Sequence, residues 1–155
     1  MNSGEQINYH LHENSGVGKN IGIVKALWNS NITTKLYSSC HDTLIKHGVN
    51  AKNIYTLEVP GSFELIYGAK KILKKQHLVA VIVIGSIIKG ETPHFEFISQ
   101  TVANGIKDLN ILFDIPFVFC VSTDLNQQQA LERAGGKIGN KGRDAANTAL
   151  HLITN

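Results

Sequence analysis

From Asn20 onward the chain alternates between two apolar patterns. Short apolar runs, Ile21 to Leu27, Ile54 to Val59, Leu78 to Ile84 and Phe117 to Val121, read as four strands. Between them apolar residues return every three or four positions, the period of a helix with one buried stripe. Ile32, Leu36, Cys40 and Leu44 mark the first helix, which stops near His47-Gly48. Gly61-Ser62 opens the second, with Leu65, Ala69, Ile72 and Leu73 inward; Phe95, Ile98, Val102, Ile106 and Leu109 mark the third. Asn126 with Gln129 resembles a capping box for a fourth helix that ends at Gly135-Gly136. A fifth begins near Lys141 and turns Ala145, Ala146, Ala149 and Leu150 inward.

This alternation predicts an α/β fold: a doubly wound parallel sheet of four core strands with helices on both faces. The unbroken apolarity of Leu78 to Ile84 predicts a strand buried on both sides. The domain is taken as residues 19–155, preceded by a polar, partly mobile arm over residues 1–18. Within the arm Ile7, Tyr9 and Leu11 alternate with Asn8, His10 and His12, the period of a short strand added to a sheet edge, here or on a neighbouring copy.

In such folds ligands bind outside the carboxyl ends of the strands. The most informative loop, Gly85 to His94, reads as a strand-to-helix turn with flexible Gly85 and Gly90, a cation at Lys89, and Thr92 as N-cap before Pro93. Backbone N–H groups at a helix N-terminus suit a phosphate. His94, in the first turn, lies where a neutral imidazole can take up a proton. Trp28 ends the first strand, where it serves either as core or as a stacking plate for a flat heterocycle. Glu64, in Pro60-Gly61-Ser62-Phe63-Glu64, either complements a helix dipole or accepts hydrogen bonds from ligand hydroxyls. Arg133 and Lys141 suit a phosphate if the fold or a neighbour brings them in, and are otherwise surface residues. His10 and His12 have no evident third ligand, so no metal is expected.

Composition narrows the class further. The 155 residues are 43% hydrophobic and 17% charged with a net charge of +3, ordinary for a globular protein with an anionic ligand. No basic stripe with interleaved aromatics points to nucleic acid. Lys70, Lys71, Lys74 and Lys75 read as the solvated face of a helix. Cys40 and Cys120 read as small core residues. No run is long enough to span a membrane and no leader is evident, so a cytoplasmic protein is expected.

Several separated blocks together resemble the lumazine synthase family over about residues 20–153. They are Trp28-Asn29, Val59 to Leu65, Gly85 to His94 with Phe95-Glu96, Gln129 to Gly135, Gly139 to Gly142, and Ala145-Ala146. The resemblance implies a flavodoxin-like three-layer domain and an enzyme, a transferase of riboflavin biosynthesis. It would condense 5-amino-6-(D-ribitylamino)uracil with 3,4-dihydroxy-2-butanone 4-phosphate, without cofactor or metal, into 6,7-dimethyl-8-ribityllumazine, releasing phosphate and water. The alternative on the same scaffold is a non-catalytic flavin- or lumazine-binding protein, or a shell-forming one.

Carried over by position, the resemblance makes Trp28 a stacking plate, with Asn29 beside it. Ser62, Phe63 and Glu64 hold the ribityl chain, and Ile87 and Ile88 meet the pyrimidine through their backbones. Lys89, Glu91 and Thr92 serve the phosphate, and Arg133 pairs with it. His94 moves protons, and Phe119 and Lys141 complete the pocket. The implied assembly is a pentamer, extending to a sixty-subunit shell, with Phe119 and Arg133 supplied by the neighbour; riboflavin synthase is the implied partner. Trp28, Ser62, Lys89 and Asp144 stand where the family often has Phe, Ala, Arg and Glu.

Overall fold

The computed structural model describes residues 7–74 and 77–155. Residues 1–6 of the arm and Lys75 of the lysine cluster lie outside the described residues. Among the described residues six strands and five α-helices follow one another as β1 (Ile21–Ala26), α1 (Ser30–Lys46), β2 (Ile54–Val59), α2 (Leu65–Ile72), β3 (Ala80–Ile88), α3 (His94–Leu112), β4 (Phe117–Asp124), α4 (Gln127–Arg133), β5 (Ala134–Gly136), β6 (Gly139–Asn140) and α5 (Lys141–Thr154), with a single 3-10 turn at Ala51–Asn53 before β2. Strands β1 to β4 form one sheet in the order β2-β1-β3-β4, parallel throughout, as the alternation predicts.

Both faces of the sheet are covered. Ile21, Ile23, Ile82, Ile84 and Cys120 pack against Ile32, Leu36, Cys40 and Leu44 of α1 and the alanines of α5. On the other face Val24, Val81, Val83 and Val121 meet Leu65, Ala69 and Ile72 of α2 and Val102, Ile106 and Leu109 of α3. Val81 to Ile84 are 0% exposed, so this strand carries two dry cores at once. Each such side chain contributes roughly 1.5–3 kcal/mol by leaving water. Among the described residues no helix is long and apolar enough to cross a membrane.

The structure corrects the sequence reading at several boundaries. β3 runs four residues past Ile84, through Ile88, so Gly85 is in the strand. Its pairing with β4 persists to Ile88 opposite Asp124, and those ladder bonds outweigh the flexibility of one glycine. Gly61-Ser62 is a turn ahead of α2, which begins at Leu65. α4 does end before Gly135-Gly136, but these glycines enter a small antiparallel hairpin, β5–β6, that the apolar pattern does not reveal. Residues 7–12 form no strand within the chain; Tyr9 donates to or accepts from Thr148 Oγ1 at 2.8 Å and meets the His151 ring edge-on. Leu11 packs on the core instead of joining a sheet edge.

Candidate active site

The strand order reverses between β1 and β3, which puts a crevice at their carboxyl ends. A cavity of about 650 Å³ lies there, and its wall includes Trp28, Glu64, Ser86, Gly90, His94 and Ile98. Asn29, Ser62, Phe63, Ile87, Ile88, Thr92 and Phe95 complete the lining together with Gly61. Nine of the residues expected at the site therefore surround one cavity: Trp28, Asn29, Ser62, Phe63, Glu64, Ile87, Ile88, Thr92 and His94.

Local chemistry explains each placement. Asn29 takes a left-handed backbone (φ 56°), a conformation asparagine tolerates, and turns the chain sharply into α1. Its Nδ2 donates to Ser86 O at 2.9 Å, and Trp28 N donates to Pro60 O at 2.9 Å. The indole is thus held at the rim, 72% exposed, and not in the core. Glu64 stands just before α2, and its Oε2 accepts from Gly61 N at 2.9 Å. That bond closes the turn with one carboxylate oxygen; among the described residues Oε1 accepts no hydrogen bond. Gly85 is closely packed: a Cβ there would lie 2.7 Å from Ser62 Oγ and 2.9 Å from Leu65 Cδ1, so both side-chain tips would have to move.

The strand-to-helix loop differs in detail from its expected form. Pro93, not Thr92, caps α3, and no side chain bonds to the cap. The turn Glu96 N to Pro93 O satisfies the first helical carbonyl, leaving the Thr92 hydroxyl unused. Among the described residues no carbonyl accepts from the N–H of Gly90, Glu91 or Thr92, which leaves three unpaired donors in the loop just ahead of a 19-residue helix. Lys89 and Glu91 do not line the cavity. Lys89 Nζ instead pairs with Glu96 Oε1 at 3.2 Å. A backbone hydrogen bond, joined by the bond from Lys89, holds the Glu96 carboxyl below its ordinary range.

Arg133, Phe119 and Lys141 also lie outside the cavity of their own chain. Arg133 Nε sits 3.3 Å from Asp124 Oδ1. Phe119 and Lys141 line a second groove of about 440 Å³ with Asn110, Asp144 and Leu152. Asn140 fixes Lys141 at the head of α5 by accepting from Gly142 N at 2.8 Å. Beneath that groove Cys120 is buried, and burial raises its thiol to about 12, partly offset by Lys141.

Five cavity residues are not among the expected site residues: Gly61, Ser86, Gly90, Phe95 and Ile98. The last is visible in hindsight, since His94 and Ile98 share a helix face at spacing four. Ser86 gives no such signal, because it falls where the third strand was expected to have ended.

Fold and cavity together define a doubly wound α/β protein with a ligand site at the switch point of its sheet. The model of the 6,7-dimethyl-8-ribityllumazine synthase family matches residues 18–155. The 6,7-dimethyl-8-ribityllumazine synthase of Parabacteroides distasonis is 50% identical over 134 residues, 86% of this chain and 84% of that protein. That of Flavobacterium johnsoniae is 53% identical over 131 residues, 84% of this chain and 69% of that protein. That of Bacteroides fragilis is 45% identical over 132 residues, 85% of this chain and 92% of that protein. The chain belongs to the 6,7-dimethyl-8-ribityllumazine synthase family.

Proposed function

We propose that this chain is a transferase that condenses 5-amino-6-(D-ribitylamino)uracil with 3,4-dihydroxy-2-butanone 4-phosphate, forming 6,7-dimethyl-8-ribityllumazine with loss of phosphate and water. The observation that carries the reading is the meeting of an aromatic plate, a carboxylate with a free oxygen and an imidazole around one cavity, beside free N–H donors. Trp28 stacks on the pyrimidine, with Asn29 fixing its loop. Glu64 Oε1 accepts ribityl hydroxyls beside Ser62 and Phe63. The backbones of Ile87 and Ile88 meet the ring edge.

The chemistry asks little beyond alignment. The pyrimidine's primary amine attacks the ketone, and water leaves to give an imine. Loss of a carbon-bound proton then lets the C–O bond to phosphate break, with the phosphate taking the electron pair. The enol left at the neighbouring carbon takes up a proton at its terminal carbon to become a ketone, and the ribitylamino nitrogen attacks that new carbonyl, closing the ring with loss of a second water. His94, on the cavity wall, takes and returns the protons, and the N–H groups of Gly90, Glu91 and Thr92 receive the leaving phosphate. Lys89 adds charge to that loop. A steady-state assay of lumazine formation tests this: His94→Ala should slow turnover by about 10²–10⁴-fold. An unchanged rate would remove the role of His94, and no product from the parent protein would remove the reaction.

The copies assemble as a pentamer in which a neighbour's Arg133 and Phe119, with Lys141, close each cavity. Two observations support this: none of the three lines its own chain's cavity, and Tyr67, Phe97, Ile111 and Leu112 are 65–74% exposed. Large apolar side chains left so bare are characteristic of subunit interfaces. The uninterrupted Gly136 to Gly142 turn favours further closure into a sixty-subunit shell. Light scattering checks both, and a monomer at assay concentration would exclude them. The cytoplasm is the compartment that suits these substrates, and riboflavin synthase is the partner that would consume the product.

A further inference from the structure

We infer that Asp124 is a positioning residue that aims the guanidinium of Arg133, with Ser122 as its clamp. This rests on the reading of Arg133 as the cation for the substrate phosphate. Asp124 closes β4, and its carboxylate is 1% exposed. Burying a carboxylate so deeply is costly unless a cation and hydrogen-bond donors stand close by. Both are present. Ser122 Oγ donates to Asp124 Oδ2, and Arg133 Nε stands 3.3 Å from Oδ1. Oδ1 makes no hydrogen bond among the described residues, so the ion pair with Arg133 is its one compensating contact there.

The direction of that contact matters. Asp124 holds the guanidinium by Nε, the nitrogen on the side-chain stem. Among the described residues neither terminal Nη makes a hydrogen bond, and the side chain is 30% exposed. A guanidinium gripped at Nε keeps its terminal nitrogens for an outside anion. Its rotamer freedom is already lost, so less ordering entropy opposes binding. Ser122 in turn fixes the carboxylate: it lies two residues back on β4, on the same sheet face, opposite Ser86.

The same residue also reaches the phosphate loop of its own chain. Asp124 O accepts from Lys89 N at 2.9 Å, where β3 gives way to the turn. Asp124 thus braces two anion-directed elements: the loop of its own cavity through its backbone, and Arg133 through its side chain.

The test uses the assembled enzyme with each substrate varied in turn, and inorganic phosphate as inhibitor. Asp124→Asn should raise KM for the butanone phosphate and Ki for inorganic phosphate together, by about tenfold. KM for the aminopyrimidine should stay within about twofold, a split that general loss of structure would not produce. Arg133→Ala should raise the same two constants further, and Asp124→Asn added to it should change them no more. If Arg133→Ala leaves both constants unchanged, the reading of Arg133 falls and takes this inference with it. If Arg133→Ala raises them and Asp124→Asn does not, the inference alone falls. Should Asp124→Asn fail to assemble, Ser122→Ala decides: a rise of about twofold to threefold supports the clamp, and unchanged constants overturn it.

Discussion

The cavity shared by Trp28 and His94 has walls, hydrogen-bond donors and a carboxylate, but no lysine or arginine in its lining. The Phe119 groove is the reverse: it offers Lys141 and a ring 42% exposed, with Arg133 elsewhere on the same chain held by Asp124. A phosphate monoester carries close to two negative charges at neutral pH. Helix N–H groups supply only partial positive charge, and Glu64 adds a negative one nearby. The cavity of one chain is thus electrostatically unfinished for a phosphorylated substrate. The cations it lacks stand on another part of the same surface, the separation that the proposed sharing of each site between neighbours requires.

Subunit mixing is the sharpest way to break this comparison. His94→Ala damages the cavity half and Arg133→Ala the cation half, so each variant alone should be nearly inactive. Assembled together in equal amounts, random pairing of neighbours should leave about a quarter of the sites with both native residues. Activity restored toward that fraction supports divided sites; activity fixed at the level of the separate variants shows that both residues serve one chain. A smaller but clear effect separates the two regions by rigidity. A Cβ on Gly142 would overlap the backbone carbonyl oxygen of Leu36, so Gly142→Ala should cost about 1–3 kcal/mol, read as a lower denaturation midpoint. At Gly85 the added methyl meets the Ser62 hydroxyl and the tip of Leu65, both able to shift. Gly85→Ala should cost less stability and show instead as a raised KM for the ribityl substrate, because Ser62 moves.

Burial also gives the groove a pH signature. The Cys120 thiol, pushed up to about 12, keeps its proton in the folded chain after an unfolded chain has lost it. The folded state then binds more protons than the unfolded one, so stability falls as pH rises. The contribution is complete below the unfolded value of about 8.5 and is lost progressively up to about pH 12, with roughly 1–2 kcal/mol gone by pH 10. Urea midpoints between pH 8 and 11 should fall less steeply in Cys120→Ala. Identical slopes would mean that the buried thiol does not govern the alkaline limb; Cys40, whose thiol burial also raises, contributes in the same direction.

What the sequence discloses and what it conceals divide along similar physical lines. Apolar periodicity locates β1, β3 and the stripes of α1, α3 and α5, because burial in a parallel sheet imposes the pattern directly. The loop blocks place Trp28, Glu64 and His94, since each follows a strand and the fold gathers strand ends. Hidden from that reasoning are features set by hydrogen bonds between distant residues. Ladder pairing with β4 carries β3 through Gly85. The two strands of the β5–β6 hairpin have only five residues between them, too few for an apolar period. Within the chain, residues 7–12 form no strand, and Tyr9 meets α5 through contacts that no local period encodes. Asp124 escapes for the same reason: a lone aspartate at a strand end says nothing of the arginine nine positions on.

The smallest effect concerns the plate itself. Trp28 is held by its backbone to Pro60 and by its neighbour Asn29 to Ser86, so the loop geometry does not depend on which ring it carries. Trp28→Phe should therefore leave fold and assembly intact and alter only the stacking area. Base-like rings gain about 1–3 kcal/mol from a full aromatic partner, and exchanging indole for phenyl forfeits a fraction of that. The expected result is product or riboflavin held about twofold to fivefold less tightly, with the rate constant for chemistry unchanged because His94 is untouched. Fluorescence titration of flavin against both proteins measures it. Equal affinities would mean that the exposed indole lies at the rim without covering the ligand, which would leave Phe119, under the proposed sharing of sites between neighbours, as the principal aromatic surface.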